Sequence, residues 1–225
     1  VKGEHVAIAA LALAALAPLP DPARRARGRA GEGRRFLDAG RHLDALRGFD
    51  GALELDADCA GAHAGRARSL LALRRNRKAL AAASSAVEAD PEDAGAHSLV
   101  SSALLGIGRW DDAAGPPEAA VRLDPSRLED HRTLCSILRE RGRHAEACAA
   151  HERASRLFPG DPWLHHYRGV SLEFLARERP SESEPLRRRA IASVKRAQEL
   201  DPHNPMCEMV LAHIGGKLRG GNAHG

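Results

Sequence analysis

Between residues 60 and 89 the small and apolar positions fall on a helical period, not a strand period. His63, Ala67 and Leu70 are spaced to share one helix face, and Ala79, Ala83 and Ala86 share another shortly afterwards. The pattern of this helix pair then returns. "ALELDADCAG" at 52–61 is followed by "AVEADPEDAG" at 86–95, "AVRLDPSRLE" at 120–129, "ASRLFPGDPW" at 154–163 and "AQELDPHNPM" at 197–206. Ala52, Ala86, Ala120 and Ala154 are 34 residues apart, and Ala197 follows after 43. A fixed period of this length marks an array of repeated helix pairs.

Taking the proline of the Asp-Pro pair as position 32 divides the chain into units 26–59, 60–93, 94–127, 128–161 and 162–204. Position 8 is small throughout (Gly33, Ala67, Ser101, Cys135, Gly169), and position 20 is always alanine, from Ala45 to Ala190. Small residues there let two helices approach closely, while Phe36, Leu70, Leu104, Leu138 and Leu172 at position 11 fill the space beside them. Glycine in "DAGRH" (38–42), "GIGRW" (106–110) and "RERGRH" (139–144) predicts the turn inside each pair, and Asp-Pro predicts the stop after it. Asp161-Pro162 and Asn204-Pro205 read as an N-cap followed by proline at the first helical position. Three local departures are expected. Pro116 and Pro117 shorten or kink the second helix of unit three, "RERPSESEP" at 177–185 inserts a polar loop into unit five, and Gly28, Gly31 and Gly33 weaken the first helix of unit one.

With its period, its small residues at 8, 20 and 27 and its proline at 32, the chain resembles the tetratricopeptide repeat family over residues 26–204, with 205–218 in the place of a capping helix. The departure is position 4, usually large or aromatic in that family and here Arg29, His63, His97, His131 and His165. The resemblance implies an all-α, right-handed superhelical solenoid of about five helix pairs plus the C-terminal cap, spanning 23–218, with residues 1–22 ahead of it and a flexible tail at 219–225. It also implies that positions 2, 5, 9 and 12 of each first helix line a concave groove that meets ligands. The residues this marks for peptide binding are Arg34, Arg68, Ser98, Ser102, Arg132, Arg139 and His166, with Tyr167 beside them. Relatives that clamp a chaperone's C-terminal carboxylate carry Lys and Asn at positions 5 and 9. Ala30/Arg34 and Ala64/Arg68 do not match that pair.

Composition agrees with helix: 43% hydrophobic and 28% charged residues suffice for a core, and only 3% are aromatic. The net charge of +4 suggests an anionic partner until it is located. "ARRARGRAGEGRR" at 23–35 holds six arginines, outside which acidic and basic residues nearly balance, so the segment reads as a solvated connector and no nucleic acid is expected. Cys59, Cys135, Cys148 and Cys207 form no CxxC pair, the usage of a reduced, cytoplasmic chain. Residues 6–20 are uncharged but too short to span a bilayer. They read either as a signal-like segment, with Ala15-Leu16-Ala17 as the cleavage site and export as the consequence, or as a helix covering the first unit.

No nucleophile elbow, zinc-protease helix, phosphate loop or dinucleotide fingerprint is present, so neither catalysis nor a cofactor is expected. His63, His97, His131 and His165 follow the repeat, on helices spaced ~8–10 Å apart, too far to share one metal. Cys135, His144, Cys148 and His151 in unit four are chemically suitable zinc ligands, but their spacing matches no finger and Cys135 already fills the small position 8. The expected function is therefore a non-catalytic protein-interaction scaffold whose groove takes a peptide, with acidic segments favoured by its arginines. The alternatives are the substrate-binding or regulatory region of a larger enzyme such as a glycosyltransferase, and a secreted or membrane-tethered assembly factor.

Overall fold

The computed structural model describes residues 21–221, and every regular element within them is helical. The helices are α1 (Pro22–Asp38), α2 (His42–Leu53), α3 (Ala60–Ala72), α4 (Asn76–Ala89), α5 (Ala94–Gly106), α6 (Gly115–Leu123), α7 (Leu128–Glu140), α8 (His144–Leu157), α9 (Pro162–Glu178), α10 (Ser183–Leu200) and α11 (Pro205–Gly221). Successive helices fold back on one another in five pairs, α1/α2 to α9/α10, and α11 closes the stack. First helices also touch at α1·α3, α3·α5 and α9·α11, so at both ends of the stack they lie side by side. This is an all-α superhelical solenoid.

The small positions do what their spacing requires. Ala45, Ala79, Ala113, Ala147 and Ala190 are wholly buried, as are Ala67 and Cys135 opposite them. In the first pair the backbones come close enough that a Cβ on Gly48 would stand 2.8 Å from the Cα of Gly33. The buried Phe49 ring fills the space between α1 and α3, with no room for a Cβ on Gly65, which would lie 2.2 Å from Cζ.

Four of the five turns inside the pairs are the same device. The N–H groups of Arg41, Arg75, Arg109 and Arg143 reach back to the carbonyls of Phe36, Leu70, Leu104 and Leu138 at 2.8–2.9 Å. The residue before each takes the left-handed conformation: Gly40, Gly108 and Gly142, and in unit two Arg74 at φ 57. These are Schellman caps, which satisfy carbonyls the helix leaves open.

The histidines at position 4 have a structural task beyond repeat phase. Nε2 of His63, His97, His131 and His165 donates to the backbone carbonyl six residues earlier, that of Ala57, Pro91, Pro125 and Pro159, at 2.7–3.1 Å. Each ring thereby latches the turn between two units onto the helix that follows.

Three expectations change in detail. The basic segment 23–35 is not a connector but part of α1, capped by Asp21 and started by Pro22. The insertion in unit five is absorbed mainly by lengthening α9 and α10 to 17 and 18 residues, leaving only a 3-10 turn at Pro180–Glu182. Pro180 stops α9, whereas Pro185 falls in the first turn of α10, where a missing N–H costs nothing. The tail expected from 219 begins as helix, since α11 continues to Gly221. The prolines of unit three act as expected. With them at its start, α6 keeps only nine residues. The signal-like or helical reading of residues 1–17 lies outside the described residues. Among those described, no helix is long and apolar enough to cross a membrane.

Candidate peptide-binding groove

Along the side-by-side first helices, the N-terminal half of the face has a floor of small residues and two free cations. Ala30, Gly61, Ala64 and Gly95 leave the surface low, and Arg34 and Arg68 stand exposed above it. Among the described residues neither arginine makes an ion pair. Arg68 leans toward the next unit, its Nη2 lying 3.5 Å from where a Cβ on Gly95 would be. Arg34 shares a cleft with Arg27, Asp56 and Asp58, so part of the charge there is offset by the turn after α2. Further along, Ser98 accepts a bond from Arg127 Nη2 at 3.1 Å, and exposed Ser102 donates to the Ser98 carbonyl at 2.9 Å.

In the C-terminal half the corresponding cations are already engaged. Arg132 pairs with Glu129 at 2.7 Å and with the buried carboxylate of Asp161, which also caps α9 through the Leu164 N–H at 2.9 Å. Arg139 pairs with Glu140 at 2.5 Å and lies 4.9 Å over the Tyr167 ring. Tyr167 packs against Trp163, with ring centroids 4.5 Å apart. His166 is buried, its Nδ1 3.6 Å from the Cys207 thiol. Burial pushes the imidazole pKa down and the Cys207 thiol up, so the pair is neutral and closed to solvent. His166, marked for peptide binding, is therefore packed inside against α11 and not open to a ligand, and the other marked residues fall into two chemically different sets.

Sequence reading did not single out a basic turn between α3 and α4, where Arg74, Arg75, Arg77 and Lys78 are all exposed. Its signal was present. Where other units follow the turn arginine with Asp44, Asp112 or Glu146, each bonded to it at 2.7–2.8 Å, unit two has Lys78.

The four zinc-type residues of unit four do not converge. Cys135 packs with Leu134 and Leu164, whereas Cys148 packs with Leu172 and Leu186. Burial raises their thiols to about 12 and about 11, so both are held protonated in this packing. His144 stacks on Phe174 at 4.8 Å. His151 is wholly buried, gives its Nδ1 proton to the Ala147 carbonyl at 2.7 Å, and has its pKa lowered by burial to about 4. Among the described residues no three His, Cys, Asp or Glu side chains are grouped as a metal site would require.

No curated protein matches the chain. Solved structures do. YrrB, a TPR protein with an unusual peptide-binding site, is 19% identical and superposes with a TM-score of 0.68 over 84% of this chain and 90% of its own. MamA from Desulfovibrio magneticus RS-1 is 18% identical, with a TM-score of 0.64 over 82% and 98%. TTC0263, a thermophilic TPR protein from Thermus thermophilus, is 20% identical, with a TM-score of 0.52 over 84% and 98%. At these identities the likeness is one of fold. In sequence, a tetratricopeptide repeat model matches residues 30–94 and 65–127, which span most of units one to three. The chain thus carries tetratricopeptide repeats in sequence over units one to three, and along the stack it shares the fold of solved tetratricopeptide repeat proteins.

Proposed function

We propose that the chain is a non-catalytic interaction scaffold whose concave face binds an acidic peptide segment, held in its N-terminal half by Arg34 and Arg68. The observation that carries this reading is the asymmetry of the arginines. Arg132 and Arg139 spend their guanidinium donors on Glu129, Asp161 and Glu140, while Arg34 and Arg68 are exposed on adjacent first helices without ion-pair partners among the described residues. An uncommitted guanidinium offers a carboxylate two parallel hydrogen bonds, and the arginines of α1 add potential that steers an anion inward. The small residues of the floor leave room for an extended backbone. YrrB, which shares the fold, has a peptide-binding site.

Fluorescence anisotropy with labelled hexaglutamate tests this. Replacing both residues (Arg34→Glu, Arg68→Glu) is expected to weaken binding at least about tenfold, as loss of two charge-assisted contacts should. Stability should stay within ~1 kcal/mol because both side chains are on the surface. Unchanged affinity in the double variant, or affinity that does not fall with added salt, would refute the assignment.

A further inference from the structure

The basic turn between α3 and α4 departs from its sisters in two ways, and both departures cost stability. Arg74 holds the left-handed conformation, φ 57, that Gly40, Gly108 and Gly142 hold in the equivalent turns. In addition, α4 has no acidic residue in its first turn, where α2, α6, α8 and α10 carry Asp44, Glu118, Glu146 and Glu184. It carries Arg77 and Lys78 there instead, at the helix end whose dipole disfavours cations. Local rules broken together by exposed side chains, which gain no packing, mark a site of use. What the departures provide is charge. Arg74, Arg75, Arg77 and Lys78 are all exposed, and among the described residues none of them makes an ion pair.

The neighbouring turns supply a different chemistry. Asn76 Nδ2 donates to the Gly106 carbonyl at 2.7 Å, which joins the basic turn directly to the end of α5. Leu46, early in α2, packs on the cluster that holds Leu70 and Ala79, and Leu80 of α4 packs on the next one, which holds Leu104 and Ala113. The three turns therefore stand in a row along one edge of the solenoid, with the basic one in the middle. On either side of it, Leu43 and Trp110 are 54% and 40% exposed, two of the six large apolar side chains exposed among the described residues. Leu43 has the repeat position of Arg77, and Trp110 the position before it. The charges beside these two are already paired: Asp44 with Arg41 and Arg47, Asp112 with Arg109, and Asp111 with Arg141.

We propose that this edge is a docking surface for an anionic lipid bilayer, with Arg74, Arg75, Arg77 and Lys78 on the lipid headgroups and Leu43 and Trp110 entering the interfacial layer. The combination chooses the occupant. Free cations are attracted to negative lipid charge, and an indole beside them matches the headgroup boundary, where tryptophan is favoured. A nucleic acid would pair with the cations but leave Leu43 in water. Turn tips in a row also suit a flat surface better than a partner that must be enclosed. Attachment is peripheral, since no described helix is long and apolar enough to cross a membrane. The surface lies apart from the arginine groove and does not depend on it.

Flotation of the full chain with vesicles tests this, using phosphatidylcholine alone and phosphatidylcholine mixed with phosphatidylserine. Attachment to the mixture is expected to be at least about tenfold stronger and to fall with added salt. A cation at such a surface contributes about fivefold in affinity, so Arg77→Gln/Lys78→Gln is expected to weaken attachment roughly twentyfold. Arg74→Gly separates use from architecture: the fold should be no less stable, while attachment weakens about fivefold. Trp163→Phe leaves Trp110 as the only tryptophan of the chain, and its emission is expected to shift to the blue on the mixed vesicles. The Arg34→Glu/Arg68→Glu variant should still attach, so failure of the groove reading leaves this one standing. Equal attachment to phosphatidylcholine alone overturns the proposal, assigning attachment to apolar insertion, as does undiminished attachment of Arg77→Gln/Lys78→Gln. A chain that retains an oligonucleotide through Arg77 and Lys78, with Trp110 emission unmoved by vesicles, also overturns it in favour of nucleic acid.

Discussion

Arg74 occupies a place that three sister turns give to glycine. Its φ of 57 is forced by the cap, whose bonds from Arg74 and Arg75 to Leu71 and Leu70 match those around Gly40, Gly108 and Gly142. A residue with a Cβ is strained there by about 1 kcal/mol, and among the described residues the Arg74 side chain makes no ion pair that would compensate. Arg74→Gly is therefore expected to raise stability by about 0.5–1 kcal/mol in urea unfolding, and a loss would show that the side chain matters more than the backbone. His151 makes the opposite kind of demand. Folding holds it neutral, with a pKa near 4 in place of the ordinary value near 6.5. In that window the unfolded chain binds the extra proton, so stability is complete above about pH 6.5 and falls as the pH drops toward 4. The shift corresponds to about 3 kcal/mol, and buried His166 adds to the loss in the same direction. Melting temperature followed from pH 7 to 5 should fall in the unaltered chain and fall less steeply in His151→Gln, which keeps the His166 contribution. A flat profile in both would mean that His151 titrates normally.

The elements were legible wherever one helix carried its own signal. The turn glycines, the Asp-Pro stops and the Asp161-Pro162 start are local, and each appears where its chemistry demands. The histidines of position 4 were legible as a ladder but not as latches, because the acceptor is a backbone carbonyl, which no side-chain pattern reveals. Each latch should count: His97→Phe keeps a ring of similar shape but no donor, and is expected to lower stability by about 1 kcal/mol. Stability unchanged in urea titration would reduce the latch to incidental contact. The basic segment 23–35 was misread for a related reason. Charge marks a solvated face, yet α1 is solvated on one face and packed on the other, with Ala26 and Gly33 buried among exposed arginines. In unit five, polar composition suggested a loop where the residues simply lengthen two helices, since serine and glutamate are as compatible with an exposed first turn as with coil.

Across the whole molecule, the period places equivalent residues side by side on one face, and this is why the candidate groove could be named from sequence. What the period could not supply was the state of each side chain. The pairing of Arg132 with Asp161 spans 29 residues, and that of Arg177 with His213 spans 36. Such contacts decide which arginines remain available, and they arise only once the units are stacked. The division that results, free cations at the start and engaged cations at the end, is the basis of the functional assignment. The rival location for an anion is the basic turn Arg74–Lys78, which lies at the edge of the solenoid instead of on the groove. Chemical-shift mapping with hexaglutamate separates the two directly. If the groove is the site, perturbations will cluster on α1, α3 and α5, around Arg34, Arg68 and Ser102. Perturbations confined to residues 74–78, or spread over the second helices α2, α4 and α6, would contradict it.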